Sequence, residues 1–407
     1  MSIEPSLRVA AQAGSGTHPS QVVVARTVEE VEGLREAWET SGLSDIDSDI
    51  DYFLTVVRHA PGVLRPHVVL IRRPGQPALM AVARLERLHV PVSLGYRTVM
   101  RPRLRAIVVT FGGLVGTAGA DDERLLIDEL SRPLETGEAD MLLLRNIDVA
   151  GTLRDVVVEG VGWLRRSHAR PPTRRWVAPV PESLDAFLSG RSAKTRQTLR
   201  RQDRKLVREY GDGLWLRRFE SPGEMTEMCR DMEAVASRTY QRGLGAAYSG
   251  SPLDLGLIEL GLRRRWFRTW MLYLRDRPVA FWSGTTYAGT FATGTPGFDP
   301  DYTKDSVGRF TMFRMVEDLC ADDDVKRLDF GHGDAEYKAA FGSVERIESD
   351  VFVVRRGLRP VTVNLAAATL ALVNGWGHRL TKETGWGRRL KRTWRSRMAS
   401  RAAGPAS

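Results

Sequence analysis

Residues 291–342 read FATGTPGFDPDYTKDSVGRFTMFRMVEDLCADDDVKRLDFGHGDAEYKAAFG, and this stretch decides the fold. Apolar side chains recur at helical spacing after Gly308, which predicts a helix over Ser306–Cys320. The run Val325–Phe330 predicts a short strand that ends in a glycine-rich turn, and Ala335–Phe341 predicts a second helix. The predicted order of strand, loop, helix, strand, turn and helix indicates an α/β protein.

The loop at the start of the first predicted helix has the features of a phosphate site. Backbone N–H groups in a first helical turn have no partner within the helix and lie at the positive end of its dipole. Ser306 is the candidate N-cap. A pyrophosphate-bearing molecule such as acyl-CoA suits this loop, although an ordinary helix start remains an alternative because the glycines of a P-loop are missing. The predicted cofactor-binding residues are Ser306, Val307, Gly308, Arg309 and Phe310.

Several groups of residues here carry a family resemblance. They are Gly294-Thr295-Pro296-Gly297-Phe298-Asp299 with Tyr302, Ser306-Val307-Gly308, Asp329-Phe330-Gly331-His332-Gly333, Tyr337-Lys338 with Phe341, and the basic stretch Ser192–Gly211. Over residues 180–355 the chain resembles GNAT-type acetyltransferases of the CelD/cellulose-biosynthesis class, which are related to Fem-type transferases. The N-terminal half resembles them more weakly, and Val307 stands where the family usually has proline.

The resemblance implies an acyl-CoA-dependent N-acyltransferase. The expected donor is acetyl-CoA or another acyl-CoA, without a metal, and the expected acceptor is an amine of a small molecule or of a cell-surface polysaccharide precursor. It also implies that Tyr337 and Lys338 are functional positions. Two alternatives stay open: a Fem-like aminoacyl transferase that uses charged tRNA, and a non-catalytic, membrane-associated protein of polysaccharide synthesis.

The order of predicted elements repeats along the chain, which suggests two copies of one α/β unit. We expect an α/β (α+β) fold of two tandem GNAT-like domains, each a mixed, largely antiparallel sheet flanked by helices. The predicted segments are a disordered N-terminus at 1–19, an N-terminal GNAT-like domain at 20–180, a basic linker helix at 181–212, a C-terminal acyl-CoA-binding domain at 213–357 and a basic tryptophan-containing tail at 358–407. The glycines of Gly112–Gly116 could mimic the phosphate loop, although the next helix begins late, so we interpret the first copy as degenerate.

The net charge of +10 and the pI near 9.9 favour anionic partners. Arg191–Arg208 carries eight basic residues against one aspartate, so we predict that Arg196 and Arg200 bind substrate phosphates. A solvated basic helix is the alternative. Residues 361–407 combine tryptophan with Lys and Arg, a composition typical of an interfacial membrane segment, whereas a helix packed on the core with a disordered end is the other interpretation.

Acyl transfer from a thioester to an amine needs a base, an acid for the thiolate and donors for the oxyanion. Asp329 follows a buried strand, where burial would raise its pKa toward that of a useful base, but it could equally cap the following turn. Tyr337 is the candidate acid, and Lys338 completes the catalytic prediction. The predicted acceptor-binding residues are Trp282, Tyr287, Thr293 and Thr295, which could instead be core residues.

The two cysteines, Cys229 and Cys320, fit buried free thiols in a reducing compartment. No C-x-x-C or H-x-x-x-H spacing predicts a metal. The first twenty residues lack an apolar signal region, and no run is long enough to span a bilayer. We expect a cytoplasmic protein with peripheral contact to the inner membrane face through residues 361–407.

Overall fold

The structure is a computed structural model that describes residues 7–10, 20–42, 44–94, 97–117, 119–167, 172–239, 242 and 248–382. They divide into two units. The first contains the described residues up to Arg174 together with those from Arg346 to Lys382, and the second is Arg175–Glu345. The α/β class and the mixed sheets flanked by helices that the sequence predicts are confirmed. The boundaries of the two units differ from the predicted segments. The basic helix, which was predicted as a linker, belongs to the second unit, and residues 358–382, which were predicted as part of a tail, belong to the first.

The strands in chain order are β1 (Leu7–Ala10), β2 (Ser20–Ala25), β3 (Val63–Arg72), β4 (Leu79–His89), β5 (Val92–Leu94), β6 (Arg97–Met100), β7 (Arg103–Val115), β8 (Met141–Asp148), β9 (Thr173–Pro179), β10 (Leu214–Phe219), β11 (Phe267–Leu274), β12 (Arg277–Tyr287), β13 (Thr290–Thr293), β14 (Gly297–Phe298), β15 (Arg327–His332) and β16 (Ser343–Val354).

The helices are α1 (Val28–Glu32), α2 (Arg35–Glu39), α3 (Ile50–His59), α4 (Ala120–Glu135), α5 (Leu153–Val158), α6 (Leu184–Leu188), α7 (Ala193–Tyr210), α8 (Met225–Ala236), α9 (Pro252–Arg263), α10 (Val307–Cys320), α11 (Glu336–Phe341) and α12 (Leu358–Lys382). No helix within the described part of the chain is long and apolar enough to cross a membrane.

Each unit contains an antiparallel ladder that continues into one parallel pair. In the first unit β1, β2, β3, β4 and β7 pair antiparallel in that order, and β8 pairs parallel to β7. In the second unit β10, β11, β12 and β13 pair antiparallel, and β15 pairs parallel to β13. A parallel pair needs a crossover connection, which α4 supplies in the first unit and α10 in the second.

The last strand of each sheet comes from a distant part of the chain. In the second unit β15 pairs antiparallel with β9, which follows the first copy in sequence. In the first unit β8 pairs antiparallel with β16, which follows the second copy. This exchange explains why residues 346–382 belong to the first unit, where the sequence predicted the end of the second domain.

Strand β3 shows how one strand serves two cores. Val69 and Ile71 pack in the cluster that contains Leu126 and Leu130 of α4. The alternating residues Val68 and Leu70 pack with Trp38 and Phe53 on the other face. Because successive side chains point to opposite faces, the part of a strand that is covered by helices on both sides must be apolar on both faces, as Val68–Ile71 are.

The structure differs from two local predictions. The sequence pattern Thr27-x-x-Glu30 predicts a capping box ahead of a helix that reaches Trp38. The capping box forms, but the helix is broken into α1 and α2. Residues 1–19 were predicted to be disordered, whereas Leu7–Ala10 pair with residues 20–23 as a strand. The other residues of 1–19 lie outside the described residues.

Candidate functional site

A cavity of about 610 Å³ opens in the second unit at the start of α10. Its walls come from the middle of β12, from the segment after β13, from the first turn of α10, and from α11 with the turn that precedes it. The lining residues are Trp282, Pro296, Gly297, Phe298, Tyr302, Thr303, Ser306, Val307, Gly308, Arg309, Met312, Asp334, Ala335, Glu336, Tyr337 and Phe341. The cavity thus lies in the stretch from which the sequence argument began.

Asp299 fixes the segment that carries one wall of the cavity. Its carboxylate, which is 1% exposed, accepts hydrogen bonds from Arg277 Nη2 at 2.8 Å and from the backbone N–H of Asp301 at 3.1 Å, and it pairs with Arg238 Nε at 3.0 Å. Gly297 lies in the same wall and packs so closely on Phe281 that a Cβ at this position would lie 2.3 Å from a ring carbon of Phe281. Both residues belong to the segment that carries the family resemblance, but no role was predicted for either of them.

Helix α10 begins without a side-chain cap. Ser306 precedes it in the left-handed region with φ of 58°, and its hydroxyl accepts no bond from the helix, which differs from the predicted cap. The N–H groups of Arg309 and Phe310 donate to the Ser306 carbonyl at 3.1 Å. The first N–H groups of the helix therefore lie at the cavity wall with the positive end of the helix dipole.

Four of the five predicted cofactor-binding residues line the cavity, namely Ser306, Val307, Gly308 and Arg309. Phe310 does not, since it is buried in a cluster with Leu206 and Leu272. Burial lowers the pKa of the Arg309 guanidinium, an effect that nearby Asp203 opposes.

Trp282 and Tyr337 form an aromatic corner of the cavity. The indole Nε1 of Trp282 donates to the Gly308 carbonyl at 2.7 Å, which ties β12 to the first turn of α10. The Tyr337 ring meets Trp282 edge-on at 5.4 Å and Phe330 at 5.9 Å. The ring of Tyr337 is thus held between two aromatic neighbours while its residue lines the cavity.

The burial and hydrogen bonds of Asp329 differ from those expected of a general base. It is 2% exposed, and one carboxylate oxygen accepts from Arg175 Nε at 2.9 Å and also from the Nη2 of that side chain. The other oxygen accepts from the Gly331 N–H at 2.7 Å. Asp329 does not belong to the cavity lining, so its geometry favours the turn-holding role that the sequence argument left open.

Lys338 also holds the turn. Its ammonium donates to the His332 carbonyl at 2.8 Å, and burial lowers its pKa, an effect that Asp329 and Asp334 oppose. The carboxylates that do line the cavity belong to Asp334 and Glu336. Neither of them was among the predicted catalytic residues, which were Asp329, Tyr337 and Lys338.

Of the predicted acceptor-binding residues, Trp282 lines the cavity. Tyr287 packs edge-on against Trp266 at 5.3 Å, Thr293 pairs with Gly284 in the sheet, and Thr295 is exposed. These three residues lie outside the lining.

The two predicted phosphate-binding arginines are engaged by their own chain. Arg196 donates to the carbonyls of Ser189 at 3.0 Å and Arg191 at 2.6 Å, near the end of α6. Arg200 forms an exposed ion pair with Asp185 at 2.7 Å. Neither lines the cavity at α10, so the solvated basic helix is the interpretation that this geometry favours.

The first unit has a cavity of about 320 Å³ at the corresponding place, between the ends of β7 and β8 and the start of α4. The residues Gly112–Gly116, which could have mimicked a phosphate loop, instead belong largely to β7, where a Cβ on Gly112 would collide with Asp45. The first turn of α4 carries Asp121, Asp122 and Glu123. Three carboxylates at a helix start repel phosphate, so this cavity does not repeat the chemistry of the second unit.

Two chemical features of the described residues bear on the site. No group of three or more His, Cys, Asp or Glu side chains among them could hold a metal ion. Cys229 and Cys320 are free thiols, and burial raises the pKa of both.

Residues 193–339 match the protein family described as "Acetyltransferase (GNAT) domain". That span includes every residue of the cavity lining except Phe341. No curated protein sequence matches the chain significantly.

Among solved structures, FemX shares 9% identity with a TM-score of 0.52, over 80% of this chain and 96% of that chain. A conserved protein of unknown function from Bacteroides thetaiotaomicron shares 10% identity with a TM-score of 0.50, over 82% of this chain and 100% of that chain. Likeness at such low identity concerns the fold alone. Residues 193–339 are thus similar to a GNAT-type acetyltransferase domain, within a chain that shares its fold with FemX.

Proposed function

We propose that the protein is an acyl-CoA-dependent N-acyltransferase. The observation that carries the proposal is the cavity at the start of α10 inside the GNAT-type domain. Helix N–H groups, the helix dipole and the Arg309 side chain meet there, and all three favour a phosphorylated ligand. Acetyl-CoA is the simplest donor of this class.

The reaction that we propose forms a C–N bond between the acceptor amine and the acyl carbonyl, and it breaks the C–S bond of the thioester. The amine gives up a proton, and the departing thiolate takes one. Tyr337 is positioned to supply the proton to the thiolate because it lines the cavity with its ring held by Trp282 and Phe330.

Asp334 and Glu336 are the carboxylates that we assign to the acceptor side of the cavity. An acceptor amine is cationic until it loses its proton, and carboxylates attract it and can accept that proton. Asp329, the earlier choice for the base, is assigned a positioning role since Arg175 and the Gly331 N–H occupy its oxygens. The acceptor that we propose is an amine of a small molecule or of a polysaccharide precursor, with the enzyme acting in the cytoplasm.

Aminoacyl transfer from charged tRNA is the second candidate function. The structural likeness to FemX and the net charge of +10 favour it, because a basic protein attracts the tRNA backbone. The two candidates differ in the donor that the second unit binds, and donor binding separates them directly.

The deciding experiment is isothermal titration of the full chain with acetyl-CoA. A Trp side chain at position 308 would enter the space beside Phe298, where a Cβ already lies 3.4 Å from the ring. Wild type should bind acetyl-CoA, and Gly308→Trp should bind at least about tenfold more weakly because the first turn of α10 is then obstructed. Gly223→Trp, at an exposed glycine of the same unit, is the matched control.

Equal binding by wild type and Gly308→Trp would remove the donor from this cavity. No binding of acetyl-CoA or of a longer acyl-CoA by wild type, together with binding of aminoacylated tRNA, would establish the second candidate.

A further inference from the structure

Three segments of the first unit meet around the start of α12, and all three are rich in arginine. They are residues 97–105, residues 161–167 and residues 355–370. None of them contains aspartate or glutamate. Arginine occupies positions 97, 101, 103, 105, 165, 166, 355, 356 and 359.

Hydrogen bonds fix these segments to one another. Arg359 Nη2, in the first turn of α12, donates to the Arg103 carbonyl at 3.1 Å. Asn364, which is buried in the same helix, donates through Nδ2 to the carbonyls of Leu164 at 3.1 Å and Arg166 at 2.8 Å. The three segments therefore form one continuous surface, which we call the arginine–tryptophan surface.

Large apolar side chains stand out from this surface. Leu358 is 88% exposed, Trp163 64%, Val99 62%, Met100 51% and Leu164 50%. Among the residues whose side-chain exposure the structure describes, these are the five most exposed large hydrophobic side chains. Single exposed hydrophobic residues are ordinary, but a cluster of this kind marks a surface that contacts something apolar.

Arg105 and Arg355 pair with Asp140 at 3.5 and 3.7 Å, but four other arginines around these side chains have no carboxylate partner among the described residues. Arg101, Arg103, Arg356 and Arg359 are exposed, and none of them forms an ion pair with a carboxylate in the described residues. Burial, and to a smaller extent the neighbouring Arg356, lowers the pKa of Arg165, an effect that Glu135 opposes. A surface with uncompensated arginines favours an anionic partner.

We propose that the arginine–tryptophan surface docks on an anionic lipid bilayer. The apolar side chains would enter the boundary between headgroups and acyl chains, where tryptophan is favoured. The arginines would lie against lipid phosphates. This interaction is separate from acyl transfer and would place the enzyme at a membrane surface.

Two other occupants fit less well. Residues 383–407 carry seven Lys or Arg against one glutamate, so like charges would repel them from this surface. A nucleic acid would use the arginines and Trp163, but it gives Val99, Met100 and Leu358 nothing apolar to contact.

The test is co-sedimentation of the full chain with phosphatidylcholine vesicles and with vesicles that also contain phosphatidylglycerol, at low and high salt. We expect binding to the anionic vesicles alone, weakened by salt. Trp163→Ser with Leu358→Ser, and separately Arg101→Gln with Arg356→Gln, should each weaken binding at least about tenfold. Leu255→Ser with Arg265→Gln, at exposed positions of the second unit, is the matched control.

Because the cationic C-terminal segment could itself bind vesicles, a further variant neutralises Arg388, Arg389, Lys391 and Arg392 to glutamine. Loss of binding in this variant alone, with the surface variants unaffected, would overturn the proposal. So would binding to a single-stranded oligonucleotide without binding to vesicles. If the double apolar variant does not fold, Leu358→Ser alone keeps the test valid, since that side chain makes little contact with the core.

Discussion

Tyr337 is the residue whose replacement tests the chemistry most directly. Tyr337→Phe keeps the ring contacts with Trp282 and Phe330 and removes only the hydroxyl. If the hydroxyl protonates the thiolate, kcat for acetyl transfer should fall roughly 10²-fold while the KM for acetyl-CoA changes little. Steady-state kinetics on a small panel of amines would measure this.

Tyr287→Phe is the matched control for that experiment, because Tyr287 packs on Trp266 outside the cavity and should be insensitive to the same change. An unchanged kcat in Tyr337→Phe would mean that water protonates the leaving group.

His67 makes the stability of the first unit depend on pH. It is 1% exposed on β3, and burial, with help from Arg65, lowers its pKa to about 3. The unfolded His binds a proton below pH 6.5 while the folded one stays neutral, so the unfolded state binds more protons and stability falls as pH falls. This residue alone should remove about 3 kcal/mol from the free energy of unfolding between pH 6.5 and 4.

Urea denaturation at a series of pH values would measure the slope, and His67→Leu should flatten it over that window. A variant with the wild-type slope would show that His67 already binds its proton in the folded state.

The role of a residue could be predicted from the sequence where it depends on neighbours in the chain. The start of α10 was located because helix periodicity and a serine–glycine pair are local signals. Asp329 was chosen as a base because burial is predictable from the strand before it. Its partner, Arg175, is 154 residues away, and no pattern in the sequence reveals that contact.

At the scale of elements, the turn between β12 and β13 contains a residue whose backbone conformation is unfavourable for its type. Tyr287 pairs with Thr290, so Ala288 and Gly289 form a two-residue turn with φ values of 45° and 76°. Left-handed backbone costs alanine roughly 1 kcal/mol, whereas glycine and asparagine accept it. Ala288→Asn should therefore raise the free energy of unfolding of the second unit by about 0.5–1 kcal/mol, and its urea midpoint should rise accordingly.

Ala288→Val provides the opposite control, because a β-branched residue is strained at positive φ and should lower the midpoint. Two variants that shift the midpoint in the same direction would mean that turn conformation does not limit stability here.

Elements with strong periodicity were predicted close to their observed bounds. The helix predicted at Ser306–Cys320 is α10 (Val307–Cys320), and the helix predicted at Ala335–Phe341 is α11 (Glu336–Phe341). The hairpin of β5 and β6 was not predicted, since its strands are short and lack a clear alternation of apolar and polar residues. Helix α12 was interpreted as a tail because its composition, rather than its period, dominated the argument.

For the whole molecule, the sequence indicated the repeat but not the exchange of last strands. The order of elements is a property of each half and can be derived from its own pattern. Which sheet receives β9 and which receives β16 depends on contacts far apart in the chain. The predicted domain 213–357 therefore leaves out β9, α6 and α7 of the second unit and includes most of β16, which belongs to the first.

The exchange of β9 and β16 between the two units predicts how fragments of the chain behave. The fragment 175–345 contains the whole cavity, the helices α6 and α7, and residues 175–179, the part of β9 that pairs with β15. The fragment 213–357 lacks β9 and so leaves the backbone groups of β15 that β9 satisfies without partners, which promotes aggregation. We expect 175–345 to be monodisperse and to bind acetyl-CoA within about tenfold of the full chain, and 213–357 to aggregate.

Size-exclusion chromatography followed by titration with acetyl-CoA would compare the two fragments. The fragment 175–345 with Gly308→Trp controls for binding outside the cavity. A monomeric 213–357 fragment that bound acetyl-CoA equally well would show that β9 is dispensable for the second unit, and the donor site would then depend only on the sequence-contiguous half.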